Sequence, residues 1–138
     1  MRLFLDASVI LAASGSATGA SRALFDLATA QGWSLYSSDY ALNEVVRNLP
    51  KLSPAAATEW ERLRPAVTVV SDVLSLDRPV VFPVTKDRPI LFSALASADV
   101  LLTLDQADFA GLLGRLFYGL SILCPADFLM NERAGGRL

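Results

Sequence analysis

Histidine is absent from this chain. That removes Ser-His-Asp hydrolysis, imidazole acid–base chemistry and His-ligated zinc together. Cysteine occurs once, as Cys124, so an internal disulfide and a Cys-rich zinc site are both excluded, and its apolar neighbours read as a small buried side chain. Cations are scarce: 12 Lys and Arg against 14 Asp and Glu give a net charge of −2, too little positive charge for binding nucleic acid by bulk electrostatics. An enzyme whose bound cations bring in the phosphate stays open. The longest apolar region, from Phe109 to Cys124, carries Arg115 near its middle and three glycines. A central Arg costs about 2.5–3.5 kcal/mol in a membrane, so the region reads as soluble core. The N-terminus goes straight into a strand pattern with no secretory signal, and a cytoplasmic location is expected.

What is present fits one domain. The 138 residues are 53% apolar and 19% charged, with no internal repeat and no low-complexity linker. Arg2-Leu3-Phe4-Leu5 is an apolar run ending at Asp6, which reads as a buried parallel strand. The spacing then predicts helices from Ala7, over Ser21 to Gln31, from Ser37 or Ser38 to about Leu49, and over Pro54 to Leu63. Strands are predicted at Trp33 to Tyr36 and Val67 to Val70. Ser71 to Thr85 has no clear period. Asp87 precedes a helix with Pro89 in its first turn. A strand at Val100 to Leu104, a short helix at Ala107 to Leu113, a strand at Leu120 to Leu123 and a helical turn at Ala126 to Met130 follow. The domain is expected to span 1–130, with 131–138 a flexible tail.

Strands alternating with helices imply a three-layer α/β/α fold around a central parallel sheet of four or five strands. In such sheets function gathers beyond the carboxyl ends of the strands. Asp6 and Asp105 fall there. Asp6 could cap the helix beginning at Ala7, Asp87 the Pro89 helix and Asp105 the helix near Ala107. Glu44 lies about 60° from Ala41 and 100° from Val45 around its helix, on the edge facing away from the core. Taken together the four carboxylates are harder to explain as caps or solvated groups. Two carboxylates 4 Å apart repel by about 4 kcal/mol at an effective dielectric of 20, so a cluster needs shared protons or a cation. Oxygen-only ligands suit Mg²⁺ or Mn²⁺. Asp108 is a candidate auxiliary acid, Asp39 a helix cap, and Thr103 can hydrogen-bond a ligand carboxylate. Asp99 lies six residues before Asp105, roughly 20 Å along a strand, and belongs to the opposite edge.

Leu5-Asp6-Ala7-Ser8-Val9-Ile10-Leu11, Glu44-Val45, Lys86-Asp87-Arg88-Pro89-Ile90-Leu91 with Ala94-Leu95, and Ala98 to Asp105 with Asp108-Phe109 resemble the PIN domain. The likeness continues through Tyr118-Gly119-Leu120 and Pro125-Ala126-Asp127-Phe128-Leu129, and so covers nearly the whole chain. It implies a PIN-like fold and a Mg²⁺- or Mn²⁺-dependent ribonuclease, often the VapC-type toxin of a toxin–antitoxin pair. The acidic quartet would map onto Asp6, Glu44, Asp87 and Asp105, with Ser8 the polar neighbour of the first acid. Cleavage of single-stranded RNA would leave 5′-phosphate and 3′-hydroxyl ends. Arg47, Lys51, Lys86 and Arg88 are candidate phosphate contacts. A homodimer and an antitoxin partner are expected, and no membrane. Two alternatives stand beside this reading: a non-catalytic PIN-like binding or scaffold domain, and a phosphotransfer module. The second is opposed by Ser8 two residues after the first acid and by the lack of a Lys after Leu123.

Overall fold

A computed structural model describes residues 1–73, 88–109 and 111–138. Among them six strands form one sheet in the order β3-β2-β1-β4-β6-β5. These are β1 (Arg2–Leu5), β2 (Ser34–Ser38), β3 (Val67–Val70), β4 (Val100–Leu102), β5 (Arg115–Phe117) and β6 (Leu120–Leu123). The helices are α1 (Ala7–Gly15), α2 (Ala20–Gln31), α3 (Asp39–Asn48), α4 (Pro54–Leu63), α5 (Arg88–Ser97), α6 (Gln106–Phe109) and α7 (Pro125–Ala134). β1, β2, β3, β4 and β6 run parallel, matching the expected sheet, and β5 adds an antiparallel edge.

Period-two alternation sorts the side chains between the two faces. Leu3, Leu5, Leu35, Val67, Val100 and Leu102 pack with α1, α2, α4 and α7 on one side. Phe4, Leu101, Leu120 and Ile122 pack with Ile90, Leu91 and Ala94 of α5 and Phe109 of α6 on the other. α3 contributes Val45 to the first cluster and Ala41 to the second. Strands apolar on both faces are what a sheet covered by helices on both sides requires.

The chain passes from β1 to β2 and β3 on one side, then returns to place β4 on the other side of β1. Such a reversal is the switch point of a parallel sheet, where functional groups gather at the carboxyl ends of the two central strands. Asp99 lies at the opposite edge, as expected, where its carboxylate accepts from the Arg2 backbone N–H at 2.8 Å and from its guanidinium at 3.1 Å.

Several boundaries differ from the sequence reading, among them β2, which runs to Ser38 rather than Tyr36. β4 stops at Leu102: the Thr103 N–H still reaches the Leu123 carbonyl, but beyond it Leu104 N–H donates to Ser8 Oγ and Asp105 N–H to Thr103 Oγ1. α6 is described over Gln106–Phe109 where the sequence reading had Ala107 to Leu113, and the Leu112 and Leu113 N–H groups both donate to the Phe109 carbonyl. α7 runs past Met130, where the helical turn was expected to end, to Ala134. Glu132, one turn beyond Phe128, is buried and accepts from Arg137 Nε at 2.6 Å, which places a charged residue on the covered face.

β5 was not expected. Its link to β6 is Tyr118-Gly119, both with positive φ (51° and 85°), the handedness a two-residue hairpin needs. Asn-Gly is the usual signal for that turn; Tyr at the first position hides it. The irregular stretch at Ser71–Thr85 falls mostly outside the described residues, as do Lys86 and Asp87. None of the described helices is long and apolar enough to cross a membrane.

Candidate functional site

Asp6 follows the last residue of β1, at the carboxyl edge of the sheet beside β4. Its peptide is fixed from both flanking strands. The Asp6 N–H donates to the Leu102 carbonyl at 3.0 Å. On the other side, the buried Ser37 hydroxyl donates to the Leu5 carbonyl at 2.9 Å, where the β1–β2 ladder has ended.

The side chain is held as firmly. Oδ1 accepts from the Ala7 N–H at 2.8 Å, so Asp6 is the N-cap of α1. Oδ2 accepts from Ser8 Oγ at 2.9 Å and from Thr103 Oγ1 at 2.7 Å. The two hydroxyls are themselves oriented, Ser8 Oγ accepting from Leu104 N–H at 3.0 Å and Thr103 Oγ1 from Asp105 N–H at 3.0 Å. Thr103 therefore links the acids at the ends of the two central strands. Asp105 in turn accepts from the Asp108 N–H at 2.9 Å through Oδ1, capping α6.

Burial dominates the electrostatics of Asp6, which is only 6% exposed. Loss of solvent pushes its pKa up; the bonds from Thr103, Ser8 and the Ala7 N–H pull it back, and the nearby Asp105 charge adds to the rise. A carboxylate so placed gains from a proton or a cation.

The donor chemistry fits a hard cation. Two of the four lone-pair sites on Asp6 are taken on Oδ2 and one on Oδ1, which leaves one directed acceptor site. Asp105 is half-buried and spends one site on the Asp108 N–H. With no histidine in the chain, an ion here would meet oxygen alone, the preference of Mg²⁺ and Mn²⁺. Among the described residues no three His, Cys, Asp or Glu side chains gather closely enough to hold a metal. The structure brings Asp6 and Asp105 together as a pair, and Asp87 lies outside the described residues.

The comparisons bear on the architecture. No family model and no curated protein matches the chain. A solved structure does: a chain of VapBC2 from Rickettsia felis, bound to a DNA fragment from its promoter, superposes with a TM-score of 0.62 at 13% identity. The alignment covers 88% of this chain and 97% of that one. The two chains share a fold.

The remaining candidates sit around the pair. Glu44 is half-buried in α3, and its carbonyl accepts from Asn48 Nδ2 at 2.7 Å. The start of α3 is pinned at the carboxyl edge by Ser38 Oγ, which accepts from Ala41 N–H, and by Asp72 beyond β3, which accepts from Tyr40 N–H at 3.0 Å. Asp39 is in the first turn of α3, while Ser38 is the cap. Arg47 and Lys51 lie beyond Glu44, and Lys51 Nζ donates to Asn48 Oδ1 at 2.9 Å. Arg88 opens α5 at the carboxyl edge. Ser37 and Asp72 escaped the sequence reading. Ser37 was weighed only as a helix cap, and nothing in sequence tells a capping hydroxyl from one that closes a strand end.

Proposed function

We propose that the chain is a Mg²⁺- or Mn²⁺-dependent ribonuclease acting on single-stranded RNA, the toxin of a cytoplasmic toxin–antitoxin pair. The observation that carries this reading is Asp6: a buried carboxylate at the switch point of a parallel sheet, oriented by three donors and set beside Asp105.

Asp6 and Asp105, with Glu44 and Asp87 as further ligands and Asp108 as an auxiliary acid, hold the ion. The chemistry supplied on binding Mg²⁺ or Mn²⁺ is charge neutralisation at the phosphate and a lower pKa for water. Ser8 and Thr103 fix the Asp6 carboxylate, so that little reorganisation is needed when substrate arrives. The N-termini of α1, α3 and α7 all lie at the carboxyl edge, and their positive ends favour an incoming phosphate. Phosphate contacts from Arg47, Lys51, Lys86 and Arg88 complete the RNA path.

The antitoxin partner rests on the likeness to a chain of the VapBC2 complex. A homodimer is part of the same reading. The competing reading, a non-catalytic PIN-like domain, draws on the capping roles of Asp6 and Asp105, which satisfy both residues without a metal. Labelled single-stranded RNA incubated with the purified chain separates the two. Cleavage that needs Mn²⁺ and is lost in Asp105→Asn supports the nuclease; Asn caps a helix about as well as Asp, so a pure cap would leave that variant unchanged. Equal behaviour of parent and variant would refute it.

A further inference from the structure

The hairpin made by β5 and β6 brings a cation to the site that no motif marked. Arg115 directly opposes Ile122 across the antiparallel pair, and Ile122 opposes Leu101 across the parallel one. Directly opposed residues point to the same face of a sheet. Ile122 and Leu101 share the α5-side cluster with Phe4. Asp6 and Thr103 stand two residues beyond Phe4 and Leu101, on the same face by the period of two. Arg115 therefore shares the face of Asp6 and Thr103, whose hydroxyl bonds Asp6 and accepts from the Asp105 N–H. It also shares the edge, since Gly114 before it donates its N–H to the Ile122 carbonyl near the carboxyl end of β6. Two strand spacings, roughly 10 Å, separate its strand from β4.

Four of the other described guanidiniums are committed to ion pairs. Arg2 pairs with Asp99, Arg22 and Arg62 with Glu59, and Arg137 with Glu132. Arg115 is exposed and, among the described residues, forms no ion pair. In a chain of net charge −2, affinity for RNA has to come from cations placed singly where phosphates pass. We propose that Arg115 binds a backbone phosphate of the single-stranded RNA one or two nucleotides from the scissile bond, on the β5 side of the acid pair. The inference rests on the nuclease reading above and adds the direction in which the strand leaves the site: from Arg88 at the start of α5, past Asp6 and Asp105, toward the β5 edge. Guanidinium suits the task because its fork matches two phosphate oxygens.

The test uses the full chain and a set of RNA oligonucleotides, each with one neutral methylphosphonate near the cleaved bond. For the parent, one position within two nucleotides of that bond should raise KM about 3- to 10-fold with kcat little changed. Arg115→Gln should raise KM by a similar factor on unmodified RNA and be indifferent to the methylphosphonate at that position. Arg115→Lys should recover part of the loss. The slope of log KM against log salt should fall by about 0.7, one phosphate contact on a single strand. Arg64→Gln, just before β3 at the opposite edge, should behave as the parent. Parental KM and salt slope in Arg115→Gln, or a fall in kcat that persists with the modified RNA, would overturn the inference while leaving the nuclease reading standing. If the parent cleaves no RNA, the nuclease reading fails first and this one with it.

Discussion

Thr103→Val is the substitution whose consequence the structure specifies best. Thr103 is fully buried, and valine keeps its shape while deleting one hydroxyl. That hydroxyl donates to the Asp6 carboxylate at 2.7 Å and accepts from the Asp105 N–H at 3.0 Å. A bond to a charged group is worth about 1.5–3 kcal/mol, and a part-buried N–H left unmatched costs about 1 kcal/mol. The sum is about 2–4 kcal/mol at neutral pH. For a chain of this length that lowers Tm by roughly 6–15 °C. The cost should also depend on pH. The folded pKa of Asp6 lies above its unfolded value, so the stability gained by protonating it is fully present below about pH 3.9 and is lost as pH rises through the folded pKa. Removing the Thr103 donor pushes that folded pKa higher still, so the penalty is larger at pH 8 than near pH 4. Urea denaturation at the two pH values measures it. In the Asp6→Asn background the charged part vanishes and the penalty should fall to about 1 kcal/mol. A cost under about 0.5 kcal/mol that is equal at both pH values would refute the role given to Thr103.

Asp6→Asn should be more stable than the parent at pH 7 in the absence of metal, because it removes a charge that burial disfavours, and the gain should shrink as pH falls toward 4; thermal melts across that range check it. Arg22→Met should lose about 1–3 kcal/mol, since the buried guanidinium donates to the Ala13 carbonyl at 3.0 Å and joins α1 to α2 and α4. Arg62→Met, at an exposed partner of the same Glu59, should leave stability nearly unchanged, and urea titration of both variants decides whether burial makes the difference.

Much of this was readable in the sequence because the signals were redundant. The apolar runs ending at Leu5 and Leu104 gave buried parallel strands, and a parallel sheet sends its functional groups to the carboxyl edge, so Asp6 and Asp105 followed from topology. Thr103 followed from spacing, two residues before Asp105, and Ser8 from the resemblance to the PIN domain. What escaped depends on contacts between distant segments. Ser37 reaching the Leu5 carbonyl and Asp72 capping α3 leave no periodic trace. β5 is three residues long, with Leu116 72% exposed, so neither length nor alternation announces it. Glu132 breaks the apolar stripe of α7 because an arginine five residues on makes its burial tolerable. For Asp87 the sequence remains the only guide.

The central claim is that Asp6 and Asp105 hold a divalent ion, and the response of Tm to Mn²⁺ tests it most directly. Each variant is melted with chelator and with saturating Mn²⁺. An ion that binds the folded state alone stabilises it by about 2.7 kcal/mol at a hundredfold excess over Kd, and the parent should show a shift of that order. Asp6→Asn and Asp105→Asn should show little or none. An unchanged melting temperature for the parent in saturating Mn²⁺, or an equal rise in parent and both variants, would contradict the account.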